Sequence, residues 1–363
     1  MDVITNDLDP DGGTSGPLAA IATQPAHGIA FLSLDGYEVM YLPEAGYCNS
    51  QPGGVPDAFT YALAGGSTAT VAVRVMCPAA PVAVAAGAEH TCARFASGIV
   101  RCWGDNSGGQ LGVGDTLDRG DQTNEMGANL VPAWLGTGRS VQQVWSGGFH
   151  DCALLDDGTV KCWGYNTAGQ LGVGHRGDRG TARFAIGDVI ERVALGTGRS
   201  AVTLALGRFH TCAILDDGSV KCWGDNSYGQ LGQGDQVDRG DDPGELGDAL
   251  PPIALGAGRT AIAIGVAETR ACALLDDGRV KCWGDNGLGV LGIGDTFDRG
   301  RIPGQMGDAL PAVALGAGRT AVGLAVGESH ACALLDDGHV KGWGYNGYGE
   351  LGLGDTTNRG ADN

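Results

Sequence analysis

The amino-acid sequence predicts an all-β protein built from repeated units, and two observations carry that prediction. Glycine accounts for 66 of 363 residues without a matching excess of proline, which is typical of short strands joined by many tight turns. A motif of cysteine, apolar and aspartate residues returns at an interval of 60 residues, and no helical periodicity accompanies it. The sequence therefore favours an array of β-sheets over a helical solenoid.

The 60-residue period covers five copies and is marked first by cysteine and tryptophan. The cysteines are Cys92, Cys152, Cys212, Cys272 and Cys332. The tryptophans are Trp103, Trp163, Trp223, Trp283 and Trp343. An Asp-Arg-Gly tripeptide keeps the same spacing, starting at Asp118, Asp178, Asp238 and Asp298, so loops hold their register as strictly as strands.

Each copy contains a predicted β-hairpin. In the second copy, residues 151–155 and 159–163 flank Asp156-Asp157-Gly158, a composition suited to a tight turn in which glycine takes positive φ. Both faces of the first strand are apolar, as expected for a sheet that is covered on both sides. The prediction is a β-propeller of four-stranded blades that pack side by side around an axis.

The residues that follow each hairpin resemble a known family. Trp103-Gly-Asp-Asn-Ser-Gly-Gly-Gln-Leu-Gly-Val-Gly-Asp115 is similar to the signature of the regulator-of-chromosome-condensation repeat, and it returns in every later copy. The second signature of that family, Gly, two residues and His, stands at Gly87 to His90 and departs in the fourth copy, Ala267 to Arg270. The resemblance covers residues 80–363 and implies a propeller that usually has seven blades. Because five hairpins are present, we expect a truncated ring.

Residues 1–79 lie outside the period and resemble a bacterial cadherin-like or immunoglobulin-like domain of exported proteins. The resemblance rests on segments such as residues 6–13 and 23–28, and on the alternation from Thr70 to Val75. It implies a small β-sandwich whose N-terminal strand is missing. Relatives of this kind place carboxylates at calcium sites between domains, so the candidate calcium ligands are Asn6, Asp7, Asp9 and Asp11.

The cysteine spacing predicts disulfides across the hairpins. Cys152 and Cys162 lie symmetrically about Asp157, so antiparallel pairing places them opposite each other, close to disulfide range. The same spacing predicts the pairs Cys92–Cys102, Cys212–Cys222 and Cys272–Cys282, and a further bridge, Cys48–Cys77, is expected in the N-terminal domain. Gly342 replaces the second cysteine of the fifth copy, so Cys332 is expected to be free. The alternative is a set of buried free thiols.

Charge and cysteine content limit the function classes. A formal charge of −19 opposes nucleic-acid binding, which needs a basic surface. No apolar stretch is long enough to span a membrane. Paired cysteines favour an extracellular or cell-surface location, although residues 1–6 show no export signal, and we expect the chain to be part of a longer exported protein.

Surface positions that differ between copies are the predicted binding residues, because function on a repeat scaffold resides in variable loops. They are Phe149, Phe209, Tyr228, Leu288 and Tyr348. The recurring tryptophans are predicted to pack between blades, and each recurring histidine is expected to bond backbone within its own blade. No nucleophile–base pair or carboxylate pair is recognised, so no catalytic residue is predicted.

The sequence thus predicts a secreted or cell-surface, non-catalytic module for binding or adhesion, with a protein or a glycan as partner and no cofactor except calcium. Two alternatives stay open. One is an intracellular regulator of the guanine-nucleotide-exchange type, as the repeat family implies. The other is the binding portion of a larger exported enzyme.

Overall fold

The computed structural model describes residues 18–32, 39–44, 55–63, 66–74 and 80–361. The chain divides into two compact units, Met1–Ala80 and Pro81–Asn363. The described parts of both consist of β-strands and short turns, which confirms the predicted all-β class. No helix among these residues has the length and apolar character needed to cross a membrane.

The N-terminal unit contains two small antiparallel sheets. Its strands are β1 (Leu18–Thr23), β2 (Gly28–Leu32), β3 (Val39–Pro43), β4 (Asp57–Leu63) and β5 (Thr68–Val73). Strand β4 pairs with β1 and β5, and β2 pairs with β3. Ala30 and Val39 from the two-stranded sheet pack with Phe59 and Tyr61 from β4, so the two sheets share one apolar core.

Two predictions for this unit lie outside the described residues. They are the Cys48–Cys77 disulfide and the calcium ligands Asn6, Asp7, Asp9 and Asp11. Both stay predictions.

The repeat region contains five three-stranded antiparallel sheets, one for each 60-residue copy. The first two sheets are β6 (Pro81–Ala86), β7 (His90–Phe95), β8 (Val100–Gly104) and β9 (Val141–Ser146), β10 (His150–Leu155), β11 (Val160–Gly164). The next two are β12 (Ala201–Leu206), β13 (His210–Leu215), β14 (Val220–Gly224) and β15 (Ala261–Val266), β16 (Arg270–Leu275), β17 (Val280–Gly284). The fifth is β18 (Ala321–Val326), β19 (His330–Leu335), β20 (Val340–Gly344). Short 3₁₀ turns lie at Gly127–Asn129, Arg183–Ala185, Gly187–Val189, Gly247–Ala249 and Gly307–Ala309.

The predicted four-stranded blade is wrong, because the fourth position of each sheet is only a one-residue bridge. In the second copy Gly164, the last residue of β11, exchanges two backbone hydrogen bonds with Arg179, and the ladder stops there. The segment before Arg179 folds around the buried Asn166, whose side-chain amide donates to the carbonyl oxygens of His175 and Gly177. Loop hydrogen bonds therefore take the place of a fourth strand.

Consecutive sheets pack face to face and share apolar cores. Between the second and third sheets, Leu154 and Val160 of one sheet pack against Leu215 and Trp223 of the next. The Trp223 indole N–H donates to the carbonyl oxygen of Gln170 in the preceding copy, which satisfies the one polar atom of the ring. Burial of these large side chains, at roughly 25 cal/mol per Å² of apolar surface, is the main force that holds neighbouring copies together.

The structure contains a disulfide within each of the first four hairpins. The bridges are Cys92–Cys102, Cys152–Cys162, Cys212–Cys222 and Cys272–Cys282. In each hairpin the two cysteines are directly opposite in the strand register. Cys332 stands opposite Gly342 in the fifth hairpin and is a free thiol.

The fifth sheet differs from the second to fourth in what covers it. Val220 of the third sheet is 0% exposed, whereas the equivalent Val340 of the fifth is 67% exposed. No described residue packs over that side of the fifth sheet as Trp283 packs over the third. A ring of seven blades stays a prediction, since the described part of the repeat region contains five sheets.

Candidate binding face

The two ends of the repeat array carry different loops. Each sheet is a meander, so the turn after its first strand and the end of its third strand lie at one end, as Gly147–Phe149 and Gly164 do. We call this end, with the equivalent residues of all copies, the variable face. The hairpin turns such as Asp156–Gly158 lie at the opposite end, which we call the constant face.

The constant face repeats one arrangement. In the third copy Arg199 lies 3.2 Å from a carboxylate oxygen of Asp216 and 3.1 Å from one of Asp217, the two aspartates of the hairpin turn. Equivalent contacts are made by Arg139, Arg259 and Arg319. Because these pairs are exposed to solvent, each contributes at most about 1 kcal/mol and serves to close a turn.

The variable face is built on the Gly-x-x-His motif. A Cβ atom on Gly147 would lie 2.5 Å from the carbonyl oxygen of Gly207 and 3.0 Å from the His150 ring, so only glycine fits between the ring and the next sheet. His150 Nε2 lies 2.8 Å from the hydroxyl oxygen of Thr211, and that hydroxyl donates to the carbonyl oxygen of Gln170. The imidazole therefore donates across the interface.

The expectation that these histidines bond backbone within their own blade is wrong. His90 also contacts the next sheet, with Nε2 2.8 Å from an Asp151 carboxylate oxygen. The buried His210 has no polar side chain at the equivalent position, because the residue that corresponds to Asp151 and Thr211 is Ala271 there, and its ring lies within reach of the backbone of Glu268 in the fourth copy. The residue that the motif histidine meets thus differs from one interface to the next.

The fourth copy replaces histidine with arginine at this position. Arg270 is buried, and its guanidinium donates to the carbonyl oxygens of Gly327 and Glu328 in the fifth copy. Ala267 replaces the motif glycine in the same copy, so the loss of the histidine coincides with the loss of the glycine. Burial lowers the pKa of Arg270 to about 10, even though Asp285 and Glu328 favour its charged form.

The buried histidines titrate differently because their neighbours differ. Burial lowers the pKa of His150 to about 3 and that of His210 to about 4. Burial acts in the same direction on His90, but the charge and hydrogen bond of Asp151 outweigh it and raise the His90 pKa. At neutral pH the second and third interfaces therefore hold neutral imidazole, whereas the first favours an ion pair.

Aromatic residues cluster around an arginine on the variable face. The Phe149 and Phe209 ring centroids are 6.0 Å apart, and the Tyr165 centroid lies 6.4 Å from the first and 6.2 Å from the second. The Arg208 guanidinium lies 5.3 Å and 5.4 Å from the two phenylalanine centroids and 2.9 Å from a Glu268 carboxylate oxygen. We call these five residues the aromatic cluster.

The aromatic cluster borders a cleft of about 670 Å³ that the turns of all five copies line. Arg208 is the one cationic residue among its lining residues, and it is already paired with Glu268. Glu89 and Glu328 also line the cleft and are exposed. The cleft therefore carries net negative charge, in line with the charge of the whole chain.

The structure brings together two of the five predicted binding residues, Phe149 and Phe209. Tyr228, Leu288 and Tyr348 occupy one equivalent loop position in successive copies, on the same face, with exposures of 41%, 46% and 90%. Tyr348 packs edge-on against Tyr345. All five positions thus lie on the variable face but do not form one contiguous cluster.

Sequence reasoning missed Tyr165, Arg208 and Glu268. Tyr165 stands where three other copies have aspartate, and Arg208 stands where the first two copies have alanine and glycine. Variation between copies was therefore a usable signal. The contact of residues 149, 165 and 209 became visible only in three dimensions.

An array of equivalent antiparallel sheets, packed through their first strands and carrying one variable loop face, defines a β-propeller-type repeat protein. The copies match the family described as the Regulator of chromosome condensation (RCC1) repeat, at residues 82–110, 141–170, 201–230, 261–290 and 321–350. The five repeat copies therefore match the family whose signature the sequence resembles.

Two relatives show the extent of the similarity. The chain is 31% identical to the Ultraviolet-B receptor UVR8 of Arabidopsis thaliana over 280 residues, covering 76% of this chain and 56% of the receptor. It is 29% identical to the human E3 ubiquitin-protein ligase HERC2 over 323 residues, covering 76% of this chain and 6% of the ligase. The chain thus spans about half the length of the first relative and a small part of the second.

Solved structures support the fold alone. Yeast RCC1 (Prp20), bound to Kap60, superposes with a TM-score of 0.53 at 24% identity and covers 73% of this chain and 56% of its own. Human WBSCR16 superposes with a TM-score of 0.56 at 18% identity and covers 83% of this chain and 77% of its own. This chain therefore shares its fold with these two solved structures.

Proposed function

We propose that this protein is a non-catalytic binding module that recognises a protein partner through the variable face. The observation that carries the proposal is the contrast between the two ends of the array. The constant face repeats an Arg–Asp–Asp contact in four copies, whereas the variable face carries different side chains in each copy. A repeat scaffold under no binding constraint has no reason to differ at one end only.

The aromatic cluster has the composition of a binding hot spot. Aromatic side chains and arginine dominate the energetics of protein interfaces, because they bury a large area and lose little conformational entropy. Phe149 and Phe209 are only partly buried, so they retain apolar surface that a partner can cover. The adjoining cleft, with Glu89 and Glu328 exposed, favours a partner that presents positive charge.

We further propose that the protein is exported and resides outside the cell or at its surface. Four hairpin disulfides support this location, because such bonds persist in oxidising compartments. In this proposal the N-terminal unit is a cadherin-like or immunoglobulin-like spacer of the bacterial type, and Asn6, Asp7, Asp9 and Asp11 hold calcium.

The alternative of an intracellular exchange-type regulator is favoured by the family of the repeats alone. A thiol count separates the two. Of the eleven cysteines, export predicts one reactive thiol, Cys332, after denaturation without reductant. Eleven reactive thiols in protein purified from its own cell would instead support the intracellular regulator.

The binding proposal is tested by site-specific photocrosslinking in the native cell envelope or culture medium. A photoreactive amino acid is placed at Tyr228 on the variable face or, as a matched control, at Arg199 on the constant face. We expect a discrete protein adduct from position 228 that disappears in the Phe149→Ala/Phe209→Ala double variant, and none from position 199. The same adducts from both positions, or adducts that survive the double variant, would contradict the proposal. Adducts that carry only glycan would identify a sugar ligand in place of a protein.

A further inference from the structure

The interface between the first and second sheets gathers three metal-ligating side chains. His90, Cys92 and Asp151 each offer a ligand atom, all three atoms lie within 4.8 Å of one another, and all three residues are buried. His90 Nε2 lies 2.8 Å from Asp151 Oδ2, and Cys92 Sγ lies 3.6 Å from Asp151 Oδ1. Within the part of the chain that the structure describes, this is the one such group of His, Cys, Asp or Glu.

The later interfaces lack the carboxylate. His150 and Cys152 face Thr211 in the next sheet, and His210 and Cys212 face Ala271. The histidine and the cysteine pair recur with the period of the repeat, and Asp151 is what makes the first interface different. The second and third interfaces therefore serve as matched controls for the first.

Whether His90, Cys92 and Asp151 can bind a metal ion together depends on the oxidation state of Cys92. In the structure Cys92 Sγ is bonded to Cys102 Sγ, so neither sulfur is a thiolate, and metal coordination requires the thiolate. A dithiol or phosphine reductant supplies two electrons, breaks the S–S bond and leaves two thiols, at Cys92 and Cys102. The Cys92 thiol then stands beside His90 and Asp151 as a set of one nitrogen, one sulfur and one oxygen ligand.

We propose that reduction of the Cys92–Cys102 disulfide converts this interface into a binding site for a divalent ion of the zinc class. Zinc binds four ligands in a tetrahedral arrangement, drawn from thiolate, imidazole, carboxylate and water, and this set supplies one thiolate, one imidazole and one carboxylate. On binding, the Cys92 thiol loses a proton and His90 binds as neutral imidazole. The Cys92 thiolate and the Asp151 carboxylate offset the two positive charges of the ion in a buried site.

The ion would link two sheets. His90 and Cys92 belong to β7 of the first sheet, and Asp151 belongs to β10 of the second. The disulfide links only β7 and β8 within one sheet, whereas the ion would link the first sheet to the second. The bound form therefore resists separation of the first copy from the second.

The first test uses the oxidised full chain and two matched variants. Cys102→Ser leaves Cys92 as a free thiol beside His90 and Asp151, and Cys162→Ser leaves Cys152 beside His150 and Thr211. Both variants keep the other three hairpin disulfides and the free Cys332. The probe is Co²⁺, followed by its thiolate charge-transfer absorbance and displaced by Zn²⁺.

We expect Cys102→Ser to bind one equivalent of Co²⁺ with a thiolate signal, and Cys162→Ser to show none at the same concentration. Adding Asp151→Thr to Cys102→Ser is expected to abolish the signal. No saturable signal from Cys102→Ser, an equal signal from both single variants, or a signal that survives Asp151→Thr would each overturn the proposal.

The second test uses reduced protein with the natural cysteines and measures zinc stoichiometry together with the thermal midpoint. We expect one tight equivalent of Zn²⁺ and a higher midpoint with zinc, none in Asp151→Thr, and two equivalents in Thr211→Asp, which gives the second interface the missing carboxylate. Zinc binding that is unchanged in both variants would overturn the proposal. Should the reduced chain unfold, the Cys102→Ser comparison decides the question alone, because it needs no reductant.

Discussion

The third and fifth repeats have nearly the same strands, yet their surroundings differ. Val220 and Ile214 of the third sheet are 0% and 3% exposed, whereas the equivalent Val340 and Leu334 of the fifth are 67% and 43% exposed. The third sheet is covered by the fourth, through Leu275 and Trp283. The comparison teaches that the energetic role of a residue in this fold is set by the neighbouring copy and not by the copy that contains it.

The largest expected effect on stability comes from placing a charge at the equivalent valines of the third and fifth repeats, Val220 and Val340. Val220→Asp buries an unpaired carboxylate and is expected to destabilise the protein by about 4 kcal/mol or more. Val340→Asp leaves the carboxylate in solvent and should change stability by less than about 0.5 kcal/mol. Urea denaturation midpoints measure both. Equal losses would contradict the neighbour-dependent account.

Removal of a disulfide is the next largest effect. The Cys272→Ala/Cys282→Ala double variant releases a loop with a sequence separation of 10. The chain-entropy relation gives a loss of about 2.7 kcal/mol for a loop of that size. Cys332→Ala in the fifth repeat removes no bridge and is expected to cost less than about 1 kcal/mol. If both variants melt at the same temperature, the bridges contribute no stability.

Acid should destabilise the protein through the second and third interfaces. The pKa values of His150 and His210 fall from 6.5 to about 3 and about 4, so the unfolded chain binds their protons first. The contribution of these histidines to stability is fully present above pH 6.5. It decreases as the pH drops towards their pKa values in the folded protein, by about 2 kcal/mol for each histidine at pH 5. His150→Gln should reduce the slope of stability against pH below 6.5.

At the first interface the pH dependence of stability has the opposite sign. Asp151 raises the His90 pKa, so the contribution of His90 is complete below pH 6.5 and is lost as the pH rises through the folded value. Ring proton NMR should therefore find His90 titrating above pH 6.5, while His150 and His210 stay neutral down to pH 5. A common midpoint for the three rings would show that the interfaces do not differ.

The smallest effect is a gain. Ala271→Thr places a hydroxyl at the position where Thr211 meets His150, so His210 acquires a side-chain hydrogen-bond partner in the next sheet and stability should rise by about 1 kcal/mol. Ala331→Thr is the control, because Arg270 and not histidine faces that position and already donates to the backbone of the fifth copy. Thermal midpoints should separate the two variants, and a gain in the control alone would be inconsistent with the assigned contact.

The elements of the fold that depend on local pattern could be predicted from the sequence. The hairpin around Asp157 and the facing cysteines follow from turn chemistry and symmetry within one copy. The fourth strand could not be excluded in this way, because its loss depends on side-chain bonds of Asn166 to carbonyl groups further along the loop. The hydrogen-bond partners of the histidines could not be predicted either, since Asp151 and Thr211 belong to the following copy.

The binding face was predictable in part. Phe149, Phe209, Tyr228, Leu288 and Tyr348 stood out because they vary within a strict repeat, and they lie at one end of the array. Which of them form a cluster depends on how far each copy is rotated from the next, and sequence spacing does not contain that information. For this reason the guanidinium between two phenylalanine rings was seen only in the structure.

The central claim is that the variable face binds and the constant face does not. The most direct measurement is the affinity of the crosslinked partner, once purified, for the unmodified protein, for Phe149→Ala/Phe209→Ala and for Arg199→Ala. We predict that the double variant binds about 30-fold more weakly or worse, which corresponds to about 2 kcal/mol, and that Arg199→Ala binds within about twofold of the unmodified protein. Equal affinity of all three proteins, or a larger loss for Arg199→Ala, would contradict the account.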